Sequence, residues 1–176
     1  MCHGNFITKI SIGLLDDLGY IVESKRAVPF PKNWRRPEPQ RPVIDIETKG
    51  APNGVVKVPK TAPAPLPDLF EKYTRLVAPN GRPIHLFAQR KVSDEQLVRA
   101  REVMRSYLTD APGTKHGASK KAVFNRMGTV GATLVFFDTE RAARRAYRRL
   151  GRLPLEFQDL YATEAVVEGS KDYMTN

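Results

Sequence analysis

Ala132-Thr-Leu-Val-Phe-Phe137 is an unbroken β-branched and aromatic run. A strand covered on both faces is the element that hides every side chain of such a run, so it predicts a central strand. Upstream, Ile84-His-Leu-Phe-Ala-Gln89 predicts a second strand, with Ile84, Leu86 and Ala88 alternating against His85, Phe87 and Gln89. Downstream, Leu160-Tyr-Ala-Thr-Glu-Ala-Val-Val167 predicts a third. Between the first two, Ser93-Asp-Glu-Gln96 has the form of a capping box, with the Ser93 hydroxyl and the Gln96 amide exchanging bonds with each other's backbone. The helix it starts presents Leu97, Ala100, Val103/Met104 and Tyr107/Leu108 on one face and Arg99, Arg101, Glu102 and Arg105 on the other, and ends near Asp110. A second helix is predicted from Ser119, burying Ala122, Val123 and Met127, and a third from an Asp138 or Thr139 cap to Leu150. The order β-α-α-β-α-β gives an α/β (or α+β) class, a small three-stranded sheet with about three helices over 81–176. The chain stops just after the third strand with no closing helix, and we expect this domain to be truncated at its C-terminus.

Before it, the composition changes. Residues 29–67 hold ten of the fourteen prolines, with Lys32, Arg35, Arg36, Arg41, Lys49, Lys57 and Lys60 between them. Proline removes backbone donors and pushes its predecessor toward extended geometry, so 24–80 reads as a basic, Pro-rich linker. Within it, Val43-Ile-Asp-Ile46 and Val55-Val-Lys-Val58 are expected to pair as edge strands around a Gly50–Gly54 turn, and Trp34 to anchor the linker on the next domain.

Residues 1–23 form a third region. Thr8 can cap a helix whose Ile10, Leu14 and Leu18 fall on one stripe, with Ile7, Ser11 and Leu15 beside it. Gly19 stands where a left-handed residue would end that helix. An apolar face this large on a helix this short needs a partner. The segment Ile-Ser-Ile-Gly-Leu-Leu-Asp-Asp-Leu-Gly-Tyr-Ile-Val22 resembles the final helix of metzincin zinc metallopeptidases, the leishmanolysin-like ones above all. Their S/T-x-x-T/S-I-G-A-L-x-D-L-G-Y-x-V segment follows the methionine turn. Ser11, Asp17, Leu18, Gly19 and Tyr20 match it, and Met1 lies roughly where the turn methionine would be. The resemblance implies a remnant of such a domain, exported in a full-length form. The family's zinc helix, H-E-x-x-H-x-x-G-x-x-H, would lie upstream of Met1, so zinc is expected only in a longer protein.

Nothing in this chain replaces that helix. Its histidines are His3, His85 and His116 and its one cysteine is Cys2, and no two histidines have the i, i+4 spacing of a zinc helix. We therefore expect no catalytic residue, no metal ligand and no cofactor here. Gly113-Thr-Lys-His-Gly-Ala-Ser-Lys120 has glycines one residue too close for a phosphate-cradling loop, and Ala118 stands where lysine is needed. A connecting turn with a Ser119 cap is the better account.

Basic charge supplies the other functional signal. The formal net charge is +10, and Arg141, Arg144, Arg145, Arg148, Arg149 and Arg152 recur at helical spacing while Ala142/Ala143, Ala146/Tyr147 and Leu150 turn inward. Such a stripe can neutralise phosphates, but no aromatic RNA-binding motif, recognition helix or zinc knuckle accompanies it. The alternative is a solvated face partly neutralised by the acidic end of the chain, Glu156, Asp159, Glu164, Glu168 and Asp172. One cysteine excludes an intramolecular disulfide framework, and no apolar run approaches a membrane span or a signal-peptide core. The chain reads as soluble, its compartment open. Three functions are compatible with it: a non-catalytic metzincin-related fragment, a basic module binding nucleic acid or another polyanion weakly, and a structural protein offering Pro-rich ligand segments.

Overall fold

Ser93 starts the longest helix as its sequence predicts. Its hydroxyl accepts from the Gln96 N–H at 3.2 Å and the Gln96 side chain accepts from the Ser93 N–H at 2.8 Å in a computed structural model, which describes residues 43–115, 117–153 and 155–165. In chain order the elements are β1 (Val56–Lys57), α1 (Leu66–Leu69), β2 (Lys72–Val77), β3 (Pro83–Ala88), α2 (Asp94–Leu108), α3 (Lys121–Thr129), β4 (Thr133–Phe137), α4 (Glu140–Leu150) and β5 (Phe157–Tyr161). The class is α/β as expected, but the sheet has five strands, not three, in the order β1-β2-β3-β4-β5. β1–β2 and β2–β3 are antiparallel, while β3–β4 and β4–β5 are parallel.

The two additional strands lie in the stretch read as linker: β1 falls within the Val55–Val58 piece expected as an edge strand, and only β2 has no such expectation. Its described part, 43–80, carries β1, α1 and β2 and buries Ile44, Ile46, Val58, Leu66, Phe70 and Tyr73 in the main core cluster. The described prolines of this stretch sit in the bends between these short pieces or, as Pro67, in the first turn of α1, where their missing N–H costs no ladder bond. Val43–Ile46 is no strand. Val56 pairs instead with Tyr73 of β2. β2 turns into β3 through Ala78-Pro-Asn-Gly-Arg82, with Gly81 at φ +79° and the Ala78 N–H on the Arg82 carbonyl at 2.9 Å. The N-terminal helix with Ser11, Asp17, Leu18, Gly19 and Tyr20, the Trp34 anchor, residues 24–42, His116 and the end of the predicted third strand lie outside the described residues.

Alternation along β3 and β4 divides the core. On one face Leu86, Ala88 and Phe136 meet Val92 and Leu97 of the α2 side. On the other, Phe87, Val135 and Phe137 meet Ala143, Ala146 and Leu150 of α4. The two crossovers thus step the same way across the sheet but over opposite faces, so they differ in hand, and one departs from the strong right-handed preference. As α4 takes the far face, Leu134 and Leu160 on the near face are only half buried. They line an apolar groove of about 520 Å³ beside α2, with Ala100, Met104 and Ala165.

Other expectations are corrected in detail. β5 ends at Tyr161, before the predicted 160–167 strand has properly begun, because the chain turns there. The Glu164 N–H bonds the Tyr161 carbonyl at 2.9 Å, and the Gln96 amide holds the Ala162 and Ala165 carbonyls at 2.9 and 2.6 Å. Arg101 is not on the outer face of α2. Its guanidinium reaches back to the Asn53 carbonyl at 2.9 Å and the Thr74 hydroxyl at 2.8 Å. Tyr107 is exposed where Leu108 is buried. α3 starts at Lys121 without a Ser119 cap, its Lys120 N–H taken by the Asp110 carboxylate at 2.6 Å. Ala122 and Val123 are exposed, and Phe124 and Met127 do the packing. Gly128 lets α3 lie against the β2–β3 hairpin: a Cβ there would stand 2.9 Å from the Arg82 carbonyl oxygen and 3.1 Å from the Ala78 Cβ. Gly128→Ala should therefore cost about 1–3 kcal/mol in a urea titration, against a slight gain if the site were open.

Candidate polyanion interface

Helix α4 is built as an anchored cationic face. Thr139 accepts the Ala142 N–H through its hydroxyl at 3.2 Å, which settles the choice between Asp138 and Thr139 as cap. Ala143, Ala146 and Leu150 are buried, and Tyr147 packs edge-on to Phe137 with ring centroids 5.9 Å apart. The Tyr147 hydroxyl donates to Asp159 of β5 at 2.5 Å, and this bond pushes the phenol above its ordinary range. The helix cannot roll without breaking these contacts, so its outer residues are held outward.

Those residues are Arg141, Arg144, Arg145, Arg148 and Arg149, followed by Arg152 just beyond the helix, and all six are exposed. Two have carboxylate partners: Arg144 pairs with Glu140 one turn earlier, and Arg149 with Asp68 of α1. Neither partner comes from the acidic end of the chain. Asp159 serves Tyr147 and Glu164 accepts the Tyr161 N–H at 2.7 Å, while Glu168 and Asp172 lie outside the described residues. Arg141, Arg145, Arg148 and Arg152 have no ion-pair partner among the described residues. Arg141, Arg145 and Arg148 stand at i, i+4 and i+7, one line about 10 Å long on a helical rise, and Arg152 follows beyond the helix end. Sequence spacing found the six arginines; only the positions of Glu140 and Asp68 separate the paired from the unpaired.

The histidine in the sheet does different work. His85 and Tyr73 are buried on neighbouring strands, and the Tyr73 hydroxyl lies 2.9 Å from His85 Nδ1. Burial first, and then the nearby Arg75 guanidinium, push the imidazole down to about 4. Burial likewise raises the Tyr73 phenol. Neutral at pH 7 and shielded from solvent, this pair satisfies itself inside the core and offers no accessible base. Among the described residues no group of three or more His, Cys, Asp or Glu side chains could hold a metal ion. The 113–120 loop is closed on itself, with the Ala111 N–H on the Gly117 carbonyl at 2.7 Å and the Gly117 N–H on the Thr114 hydroxyl at 3.0 Å. With Asp110 at its mouth, it is a turn rather than a phosphate cradle. No helix among the described residues is long and apolar enough to cross a membrane.

No family model matches the chain, and neither the curated proteins nor the solved structures contain a match.

Proposed function

We propose that the described part of the chain is a polyanion-binding module that reads phosphate charge rather than base sequence, through the outer face of α4. The observation that carries this reading is that Arg141, Arg145, Arg148 and, just beyond the helix, Arg152 are exposed with no ion-pair partner among the described residues. Like charges at i, i+4 destabilise a helix by about 0.2–0.5 kcal/mol per pair, and an anion laid along the line relieves them. Arginine suits phosphate because its planar fork donates two parallel bonds. With few contacts and no base-reading element, affinity belongs in the non-specific range, on the order of 10⁻⁴ to 10⁻⁶ M at physiological salt. The test is the variant R141E/R145E/R148E/R152E on heparin and on labelled single-stranded and duplex DNA. All four positions are exposed, so the circular dichroism spectrum should be unchanged while binding is lost. Unaltered retention of this variant would overturn the reading.

For residues 1–23 we keep a second reading, the remnant of a metzincin terminal helix, which rests on the match at Ser11, Asp17, Leu18, Gly19 and Tyr20. On that reading this chain alone cleaves no peptide bond, since the zinc helix belongs to a longer protein. Stoichiometric zinc after dialysis together with chelator-sensitive cleavage of casein would contradict it.

A further inference from the structure

At the carboxyl ends of β3 and β4 the chain leaves the sheet in opposite directions. Residues 89–93 turn toward the α2 face and residues 138–139 toward the α4 face, as the core partners Val92 and Ala143 show. Where neighbouring parallel strands send their loops to opposite faces, a crevice opens between them, and in open parallel sheets such a crevice is where ligands bind. Here it has a volume of about 540 Å³. Its floor is fastened. The Asp138 N–H bonds Gln89 Oε1 at 3.0 Å, the Lys91 N–H bonds Asp138 Oδ1 at 2.8 Å, and Gln89 Nε2 donates to the Leu69 carbonyl at 3.2 Å.

Three cations from three elements line this crevice: Lys57 of β1, Arg90 after β3 and Arg145 of α4. None has an ion-pair partner among the described residues, although carboxylates line the same crevice. Of those carboxylates Asp68 is taken by Arg149 and one oxygen of Asp138 by the Lys91 N–H. The Glu71 carboxylate and the second Asp138 oxygen have no partner among the described residues and are left as hydrogen-bond acceptors at the crevice wall. Convergent unpaired cations call for an anion, and acceptor oxygens beside them call for hydroxyl donors. We propose that the crevice binds a small phosphorylated polyol, its phosphate held by Lys57, Arg90 and Arg145 and its hydroxyls donated to Glu71 and Asp138. This site meets the polyanion face at one residue. Arg145 belongs to both, and Arg90 only to the crevice.

Isothermal titration of the full chain with ribose 5-phosphate, inorganic phosphate and ribose tests the assignment. Ribose 5-phosphate should saturate one site, phosphate should bind more weakly, and ribose should give no signal. Arg90→Gln and Arg145→Gln should each weaken ribose 5-phosphate by about tenfold or more, while Arg148→Gln, outside the crevice, leaves it unchanged. Arg90→Gln should also keep full heparin retention, so failure here is distinguishable from failure of the α4 reading. No saturable binding below about 10 mM, equal affinity for phosphate and ribose 5-phosphate, or wild-type affinity in Arg90→Gln would each overturn the proposal.

Discussion

Phe70→Ala should lower the free energy of unfolding by about 3–5 kcal/mol, the range for deleting a buried ring and leaving its cavity. Phe70 is 3 % exposed, and its ring centroid lies 5.6 Å from that of Phe87 in β3 and 5.7 Å from that of Phe137 in β4. It therefore joins the hairpin strand and the central strand on the α4 face. The substitution separates two accounts of residues 43–80. If the stretch were a tether, Phe70 would be a surface residue and the loss would stay below about 0.5 kcal/mol. Urea titrations followed by far-UV circular dichroism decide between them, and a slope unchanged from wild type would show that the change lies in stability alone.

Stability should also fall steeply with acid between pH 6.5 and 4, and His85 should account for much of the fall. The imidazole is 4 % exposed and its pKa is pushed down to about 4, chiefly by burial. In the unfolded chain it returns to about 6.5, so between these values the unfolded state binds a proton that the folded state does not. The contribution is fully present above pH 6.5 and is lost as pH falls toward 4. A shift of this size corresponds to a ceiling of about 3 kcal/mol. His85→Gln removes the titration, and its stability profile across this window should be flatter than wild type. Parallel profiles for the two proteins would mean that His85 does not titrate as its burial requires. Tyr73→Phe leaves Nδ1 without its partner in the core and should cost about 1–3 kcal/mol at neutral pH.

The α/β part was legible wherever one signal dominated. Ser93 and Gln96 named their own helix start, and Ala132–Phe137 named the central strand within one residue. The hairpin is also written in the sequence, in Asn80-Gly81 between Leu76-Val77 and Ile84, directly after the Pro-rich stretch. β2 itself is harder to see. Lys72-Tyr-Thr-Arg-Leu-Val carries apolar residues to both faces and leans its cations on long-range partners, Lys72 on Asp94 at 3.0 Å and Arg75 on Glu47 at 3.3 Å. Arg101 was misplaced for the same reason, since periodicity assigns a face but not the carbonyl and hydroxyl that draw a long side chain across an edge. On α4 the inward alanines and the outward arginines could both be read, whereas the pairing of Arg149 with Asp68 spans 81 residues and has no local signature. The crevice beside it depends on which face each crossover takes, and hydrophobic pattern does not encode that choice.

The central claim, that the arginines of the α4 face without a partner among the described residues bind a polyanion, is tested most directly by the salt dependence of duplex DNA binding. Each phosphate neutralised contributes about 0.9 to the slope of log K against log salt, so four arginines give a slope of about −3 to −4. The same measurement on single strands should give about −3, with the smaller contribution per contact. Charge reversal at Arg141, Arg145, Arg148 and Arg152 should abolish binding at every salt concentration. A wild-type slope shallower than about −1, or one that the reversal leaves in place, would contradict the account.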